Sequence, residues 1–471
     1  MLGVVHAPHG PTLGADDHGQ YLLHGKALAD GRPYADIGFI HTPYSTKVAP
    51  ITEPPGLPLL IAAVFEVTGP NAQPVRTVLY VSFALLGLIV FLYFQPVVGL
   101  GKAALVVAWS LTALARQHTL DTVLADLPFC AALWTCFYLA DNAAQNLRRR
   151  FAALAVTGAS AFAFRLAALP LSLGAFVAAW TRRQNRTEAR GYFALGMVWA
   201  AVAAAVMFGL HAADTLAGET LRSPATFARD AFNNLREMSV GARLGVPLTI
   251  PSQRARIAIH AVALTIAFIG LVGTFRAHRS RFAWTFGVCY VAMLVALPGG
   301  SPRYMWPLYP FLAFGFLEGL ERIARTIPRL TRAAVPATVT FLIVAIGVLQ
   351  DVAAPAPPTY ATLPEISAVR AALERESLRP GDLRVVVFSP RVMTWEDGYT
   401  TMAPFDASPD EQLRVLRRNR ITHIVLGDAG TRAPATDAMR RLVIERPRAF
   451  QEIFANSLFR IVSLRPNGME R

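Results

Sequence analysis

The sequence predicts a polytopic α-helical membrane protein that ends in a small α/β domain, and three observations support this fold class. Of the 471 residues, 54% are hydrophobic and only 16% are charged, whereas about 25% of the residues in a soluble domain are charged. Apolar runs close to the length that crosses a hydrocarbon core of about 30 Å recur along the chain, with short arginine-rich breaks between them. After residue 350, polar helix-like segments alternate with short apolar strand-like segments.

The charge and the cysteines argue against other classes of protein. The net charge of +14 is compatible with nucleic-acid binding, but the chain has no basic face or aromatic-basic module. The arginines instead cluster in short loops, where they set the orientation of a membrane protein. Cys130, Cys136 and Cys289 lie in apolar runs without metal-ligand spacing, so we expect no disulfide framework and no zinc site.

Ten apolar segments are candidate membrane spans. The two at 151–164 and 166–180 are short, and we interpret them as a tilted or re-entrant hairpin that breaks near Arg165. Four loops carry three or four arginines each, and the positive-inside rule assigns them to the cytoplasm. These loops are Asn146–Arg150, Thr181–Arg190, Arg276–Arg281 and Glu321–Arg332. The predicted spans are 75–95, 102–117, 122–140, 151–164, 166–180, 191–210, 255–275, 282–297, 304–322 and 333–350.

The same alternation predicts which parts of the chain face outward. Residues 1–74, the turn near Arg165 and everything after about residue 351 are expected on the extracytoplasmic face of a bacterial cytoplasmic (inner) membrane. The predicted domains are a membrane domain over residues 1–350, a proline-rich linker over 351–360 and an extracytoplasmic α/β domain over 361–471.

The C-terminal domain is predicted to have a parallel β core, because its strands alternate with helices. It has no glycine-rich phosphate loop, so we expect no nucleotide site there. Its helices are predicted at Glu365–Glu376, Pro409–Arg420 and Ala435–Glu445, and its strands at Leu383–Ser389, Thr422–Gly427, Phe450–Phe454 and Leu458–Leu464.

Two adjacent aspartates, Asp16 and Asp17, stand at the start of the first helix-like run. Apolar residues recur after them at helical spacing until Asp30-Gly31 ends the run. An aspartate before a helix is usually an N-cap, which contributes about 1 kcal/mol, so spacing alone favours capping. Farther on, Lys47 and Glu53 precede an apolar helix and are interpreted as solvated interfacial charges.

Four more polar residues stand at the ends of apolar segments. Asp126 lies at the mouth of a span, where a carboxylate indicates function, although Pro128 makes a helix-start cap equally consistent. Arg165 lies between two apolar helices and suits either lipid headgroups or a phosphate group. Arg303 and Tyr304 begin a span, and taken alone they are typical of an interfacial anchor.

The order of these pieces resembles the GT-C fold glycosyltransferases, specifically the bacterial relatives of the protein O-mannosyltransferases and of the lipid A aminoarabinose transferase. The resemblance runs from residue 16 to about residue 315, and the C-terminal α/β part also looks like tails attached to such enzymes. The segments that carry it are "DDHGQYLLHGKALADGRPY", "EPPGLPLLIA", "VLADLPFCAAL", "FRLAALPLSL" and "PRYMWPLYPFLA".

The resemblance implies an enzyme that transfers a sugar from a polyprenyl-phosphate donor to a glycan, lipid or protein acceptor at the extracytoplasmic face, with inversion. The family's catalytic aspartate lies four residues before a tyrosine, which fits Asp17 and Tyr21, with Asp16 as the alternative. The family's second acidic position falls on Asp126. By resemblance, the residues that bind the donor phosphate are Arg165, Arg303 and Tyr304.

The residue types suit this chemistry. Phosphate is a good leaving group and needs little acid catalysis, whereas the acceptor hydroxyl must lose a proton as it attacks. One carboxylate acting as general base and cations that stabilise the departing phosphate are therefore sufficient. Some relatives use a divalent metal cation, but no ligand cluster in this sequence demands one.

Two features depart from the resemblance. The family has a helix before the first external loop, whereas "MLGVVHAPHG" has neither an apolar core nor a basic flank, so we expect one helix upstream of this start. Glu53 stands before Pro54-Pro55 where some relatives carry lysine, a change expected to alter the contact with the donor phosphate.

Two other classes of function remain open from the sequence. A lipid or polysaccharide transporter would show internal repeats and broken helices at the midplane of the membrane, and no such repeat is visible. A non-catalytic membrane assembly protein that keeps the fold is the other alternative, because fold does not imply function.

Overall fold

The computed structural model of the protein describes residues 16–44, 53–115, 122–141, 146–209, 229, 252–278, 282–296, 302–326, 334–353, 362–376, 382–427 and 433–465. The predictions made for the first ten residues, for Lys47, for most of the loop 211–254 and for the linker beyond residue 353 concern residues outside these ranges.

The N-terminal part begins with helix α1 (Asp16–Ala29), the two-residue strand β1 (Phe39–Ile40) and helix α2 (Gly56–Thr68). Helix α1 starts at the two aspartates and ends before Gly31, which has a φ of +66° that suits glycine. The helix predicted from the spacing of the apolar residues is therefore confirmed.

Every apolar segment predicted as a span contains a helix. By length and composition, two of the described helices are long and apolar enough to cross a membrane, over Ala72–Val98 and Arg186–Phe208, and the other apolar helices are shorter. The count of ten spans therefore stays a prediction. The helices are α3 (Ala72–Val98), α4 (Leu100–Ala115), α5 (Asp126–Asp141), α6 (Leu147–Phe164), α7 (Pro170–Thr181), α8 (Arg186–Gly209), α9 (Gln253–His278), α10 (Phe282–Ala296), α11 (Tyr309–Thr326) and α12 (Ala334–Ala353).

The hairpin predicted to break near Arg165 does break there. Helix α6 ends at Phe164, Arg165 takes an extended backbone conformation (φ −155°, ψ 135°), and a short 3₁₀ turn at Leu166–Ala168 leads into α7. At the opposite end of α6, Arg150 donates a hydrogen bond to Glu188 at 2.5 Å. Fifteen residues of helix separate the two arginines by about 22 Å, so they mark opposite ends of the bundle.

Two of the four arginine-rich loops meet at the Arg150 end. Arg182, which follows α7, donates hydrogen bonds to Glu188 at 2.8 Å and to the Tyr192 hydroxyl at 2.7 Å, both on α8. The alternation of charged and uncharged loops along the sequence thus corresponds to a separation in space between Arg165 at one end and these arginines at the other.

Trp134 lies at the centre of the aromatic core of the bundle. Its ring centroid is 5.0 Å from that of Phe311 and 5.2 Å from that of Phe137. Its indole nitrogen donates a hydrogen bond to the carbonyl of Pro307 at 3.2 Å. Pro307 belongs to a 3₁₀ segment, Pro302–Leu308, that precedes α11, so the core fixes the segment that carries Arg303 and Tyr304.

The C-terminal part, residues 362–465 as described, is called the C-terminal unit below. Its six-stranded sheet has the order β1-β3-β2-β4-β6-β5. The strands from β1 to β4 pair in parallel, as expected for the core, whereas β6 is antiparallel to β4 and β5 is antiparallel to β6. Its elements are α13 (Pro364–Glu376), β2 (Arg384–Val386), α14 (Pro390–Asp397), β3 (Thr400–Met402), α15 (Pro409–Arg418), β4 (His423–Gly427), α16 (Ala433–Glu445), β5 (Phe450–Ala455) and β6 (Phe459–Leu464).

The structure differs from the sequence-based expectations at three points in this part. The strand predicted at Leu383–Ser389 covers only Arg384–Val386. Helix α14 begins soon after it, at Pro390, and ends before Gly398, which has a φ of +71°. The sheet also takes its edge strand β1 from the first loop, so the first loop and the C-terminal unit share one sheet. Helix α12 extends to Ala353, three residues into the predicted linker.

Candidate active site

Helix α1 presents two adjacent carboxylates to arginines from distant parts of the chain. Oδ2 of Asp17 accepts a hydrogen bond from Nη2 of Arg303 at 2.6 Å, and its Oδ1 accepts one from Nη2 of Arg391 at 3.4 Å. Asp16 accepts two hydrogen bonds from Arg391, from the main-chain nitrogen and from Nε, both at 2.9 Å. The side chains of Asp17 and Arg303 are 29% and 26% exposed, against 12% and 6% for Asp16 and Arg391. Asp17 is therefore the more accessible carboxylate of the two.

A second acid–base pair joins α5 to the break in the hairpin. Nη1 of Arg165 donates a hydrogen bond to Oδ1 of Asp126 at 2.7 Å, and both side chains are nearly buried, at 12% and 4% exposure. The Arg165 guanidinium also lies over the Tyr304 ring, 5.1 Å from its centroid. Oδ2 of Asp126 is buried without a hydrogen-bond donor among the described residues. The chain break at Arg165 thus turns this side chain toward Asp126.

The two pairs lie close enough to act on each other. Burial raises the pKa of the Asp17 carboxyl, but the positive charges of Arg303, Arg391 and Arg165 outweigh burial, so the pKa lies below its ordinary value. The six residues singled out from the sequence thus form one cluster. Asp16 differs from Asp17 in two ways: Arg391 bonds both of its oxygens, and its side chain is less exposed, at 12% against 29%.

Sequence reasoning did not assign Glu53 to the catalytic or phosphate-binding residues. It interpreted Glu53 as a solvated charge, and as a departure from the lysine of some relatives that is expected to alter the contact with the donor phosphate. The structure places it half-buried at the site, where its Oε2 accepts a hydrogen bond from the Tyr21 hydroxyl at 2.5 Å. Burial and the negative charge of Asp17 raise the pKa of the Glu53 carboxyl, against the opposing effects of the Tyr21 hydrogen bond and of Arg165. Tyr21, the hydrogen-bond donor to Glu53, lies one helical turn after Asp17. This spacing was the one signal in the sequence that pointed to Tyr21 as a neighbour of Asp17.

The raised pKa of Glu53 predicts a stability effect that depends on pH. A carboxyl whose pKa is higher in the folded state than its ordinary 4.5 stabilises the fold at low pH, and this contribution is lost as the pH rises through the folded-state pKa. Glu53→Gln removes the ionising group, so the variant is expected to gain more thermal stability over the unmodified protein at pH 8 than at pH 5. Thermal unfolding in detergent at the two pH values measures this difference. The matched control is Glu66→Gln, an exposed position on α2. An equal shift for Glu53→Gln at both pH values would contradict the prediction.

Two further residues at the site carried no usable signal in the sequence. Arg391 is separated from Asp16 by 375 positions, and no local pattern connects them. His18, next to Asp17, is buried, and its Nδ1 accepts a hydrogen bond from the main-chain nitrogen of Val123 at 2.7 Å. Burial and the charge of Arg76 lower the pKa of His18 to about 3. A neutral His18 therefore ties α1 to the segment that leads into Asp126.

The described residues show no ready-made site for a divalent metal. Within the described ranges, no group of three His, Cys, Asp or Glu side chains converges in a way that could hold a metal ion. The carboxylates of Asp16, Asp17 and Asp126 are each paired with an arginine. The positive charge of these arginines would repel a divalent cation, so the described residues give no support to the metal that some relatives use.

The comparisons with known proteins identify the fold of the chain. No protein-family model matches the chain, and no curated protein matches its sequence. Solved structures do match. ArnT from Cupriavidus metallidurans bound to undecaprenyl phosphate matches with a TM-score of 0.56 at 13% identity, covering 99% of this chain and 96% of that chain.

Two structures of the Archaeoglobus fulgidus oligosaccharyltransferase also match, at 12% identity. The complex of AglB with an inhibitory peptide and a dolichol-phosphate has a TM-score of 0.51, and the match covers 96% of this chain and 71% of that chain. The complex with Zn and sulfate has a TM-score of 0.54 and covers 96% and 70%. ArnT and AglB are both GT-C glycosyltransferases. The resemblance inferred from the sequence is therefore confirmed for the fold, and this chain has the GT-C fold.

Proposed function

We propose that this protein is an integral-membrane glycosyltransferase that moves a sugar from a polyprenyl-phosphate donor to an extracytoplasmic acceptor hydroxyl. The observation that carries the proposal is the pairing of a partly exposed carboxylate, Asp17, with a partly exposed arginine, Arg303, at 2.6 Å. A base and an anion-binding cation side by side are what this transfer needs. The fold supports the proposal, because the ArnT structure of the same fold contains undecaprenyl phosphate.

In the proposed reaction, Asp17 is the general base. The acceptor hydroxyl loses its proton to Asp17 as its oxygen forms a bond to the anomeric carbon of the donor sugar. The bond from that carbon to the phosphate oxygen breaks, and the polyprenyl phosphate leaves with the electron pair. One displacement of this kind inverts the configuration at the anomeric carbon. The lowered pKa of Asp17 keeps the base ionised at neutral pH.

Arg303 and Arg165 are proposed to stabilise the phosphate as it departs. Their guanidinium groups donate several hydrogen bonds in a planar fork that matches phosphate oxygens. Arg303 is exposed enough to reach a ligand, and its current partner is Asp17. Asp126 holds Arg165 in place from one side, and the ring of Tyr304 lies against the guanidinium. Asp126 and Tyr304 thus orient the cation that the phosphate meets.

The positions of the arginines also support a topology. Arg150 and Arg182 meet Glu188 at one end of the bundle, and Arg165 lies at the other. With the arginine-rich end in the cytoplasm, the site and the C-terminal unit face outward, and the ten apolar helices span a bacterial inner membrane. The charged residues of the site then lie at one face of the bundle, whereas a transporter would carry them at the midplane.

Two measurements on the intact protein test the proposal. Purified protein in liposomes is given polyprenyl-phosphate sugars carrying different labelled sugars, with an envelope extract as the source of the acceptor. Release of free polyprenyl phosphate and transfer of the label to the acceptor are expected with one class of donor. In cells that lack the protein, mass spectrometry of the lipid fraction is expected to show accumulation of the same donor, together with loss of its sugar from an envelope glycan, lipid or protein. An unchanged donor pool and unchanged envelope sugars would contradict the proposal and favour a non-catalytic role.

A further inference from the structure

The first turn of α14 belongs to the C-terminal unit, yet it lies directly against α1. A Cβ on Gly19 would come within 2.5 Å of the main-chain carbon and oxygen of Arg391, a separation too short for any side chain. Near the other end of α14, the Trp395 ring stacks on Phe65 of α2, with the centroids 5.7 Å apart. Helix α14 is therefore fixed between α1 and α2, with its N-terminal end beside the two aspartates.

Arg391 spreads its hydrogen bonds over both aspartates. Its main-chain nitrogen and its Nε each bond a different oxygen of Asp16 at 2.9 Å, and its Nη2 reaches Oδ1 of Asp17 at 3.4 Å. Oδ2 of Asp17 is held by Arg303. Each oxygen of Asp17 therefore has its own arginine, one from the bundle and one from the C-terminal unit, and the carboxylate is oriented from two sides.

The two arginines differ in their freedom to move. Arg303 is 26% exposed and makes its one described carboxylate contact with Asp17. Arg391 is only 6% exposed, and the two bonds to Asp16 fix both its main chain and its side chain. A phosphate that binds Arg303 would draw that guanidinium away from Asp17. Arg391 is held in place by Asp16 and would remain.

We infer that Arg391 is the positioning residue that holds Asp17 for proton transfer, so that the C-terminal unit completes the active site. The inference rests on the proposed function of Asp17 as general base. Asp16 then has a distinct part: it fixes Arg391 and takes no proton itself. The C-terminal unit is accordingly a component of the catalytic site, and removing or displacing it would leave Asp17 without its fixed partner.

The inference predicts a specific kinetic signature for Arg391→Ala. A misplaced base lowers the rate of the chemical step, so kcat is expected to fall by up to about 100-fold with little change in the KM for the donor. The positive charge of Arg391 lowers the pKa of Asp17, and the base must be ionised to act. Loss of that charge therefore moves the acidic limb of the kcat/KM profile to higher pH. A residue that only holds the fold together would not move this limb.

Two more variants make the test independent of misfolding. Arg391→Lys keeps the charge but loses the fork, so we expect the acidic limb to stay near that of the unmodified protein while kcat remains reduced. Arg370→Ala is the matched control, because Arg370 forms an ion pair with Asp397 at the far end of the same helix, with Nε and Oδ1 2.8 Å apart. This control loosens α14 without touching Asp16 or Asp17 and should leave kcat and the pH profile unchanged.

The possible outcomes separate the inference from the proposed function. If the unmodified protein transfers no sugar from any polyprenyl-phosphate donor, the proposed function fails. If it does transfer sugar and Arg391→Ala retains both its kcat and its pH profile, the positioning role of Arg391 is wrong. An equal fall in kcat for Arg370→Ala and Arg391→Ala, with no movement of the acidic limb, would likewise overturn it, because docking of α14 would then explain the whole effect.

Discussion

Asp17→Asn is expected to lower sugar transfer by about 10²- to 10⁴-fold, the usual contribution of a general base, without unfolding the protein. Asparagine has nearly the same shape and can still accept a hydrogen bond from Arg303 through its amide oxygen, but it cannot take the proton of the acceptor hydroxyl. Single-turnover release of polyprenyl phosphate by protein reconstituted in liposomes measures the loss. Thermal unfolding in detergent shows whether the fold is kept.

The neighbouring Asp16→Asn is the matched control for this prediction. It makes the same chemical change one residue away, on the same turn of α1, but at a carboxylate that Arg391 already occupies with two hydrogen bonds. We expect a smaller loss of transfer than for Asp17→Asn, because Arg391 is held less firmly while the base is intact. A larger loss for Asp16→Asn, with Asp17→Asn still active, would assign the base to Asp16.

The sequence predicted the helices well because their signals are local. Runs of apolar residues, the prolines and the charged breaks determine where each helix starts and ends, and all ten predicted segments contain one. The break at Arg165 and the cluster of Asp17, Asp126, Arg165 and Arg303 followed from the order of motifs along the chain. The helices could be predicted from local stretches of residues. The cluster could be predicted because the order of the motifs resembles that of a known fold.

Other parts of the site depend on contacts between distant residues, and the sequence could not predict them. Glu53 looks like a solvated charge beside two prolines, and only the packing of α1 brings Tyr21 to its carboxylate. Arg391 lies two positions beyond the strand predicted at Leu383–Ser389, in a segment to which sequence reasoning assigned no element. Strand β1 has two residues and pairs with β3 some 360 positions later, and no periodicity can be read from two residues.

Arg165→Met is expected to destabilise the protein by about 3–5 kcal/mol, because it leaves the buried carboxylate of Asp126 without its cation. Asp126 is 4% exposed on its side chain, and Arg165 is its hydrogen-bond donor at 2.7 Å. Methionine is close to arginine in length and apolar, so the effect reports the lost charge more than a lost volume. A lowered midpoint of thermal unfolding in detergent is the expected result. A midpoint equal to that of the unmodified protein would show that the pair does not hold α5 to the break at Arg165.

The double variant Asp126→Asn with Arg165→Gln separates stability from catalysis. Two neutral amides at these positions can still form a hydrogen bond, and no buried charge is left without a partner, so most of the lost stability should return. Transfer should not return, because the departing phosphate has lost a cation. Removing one group that stabilises developing charge lowers kcat by about 10²- to 10³-fold. Recovery of both stability and transfer would mean that Arg165 serves Asp126 alone, and Arg303 would then be the cation that binds the phosphate. Recovery of stability without transfer would show that transfer needs the charged pair for more than holding the fold, as expected if Arg165 binds the departing phosphate.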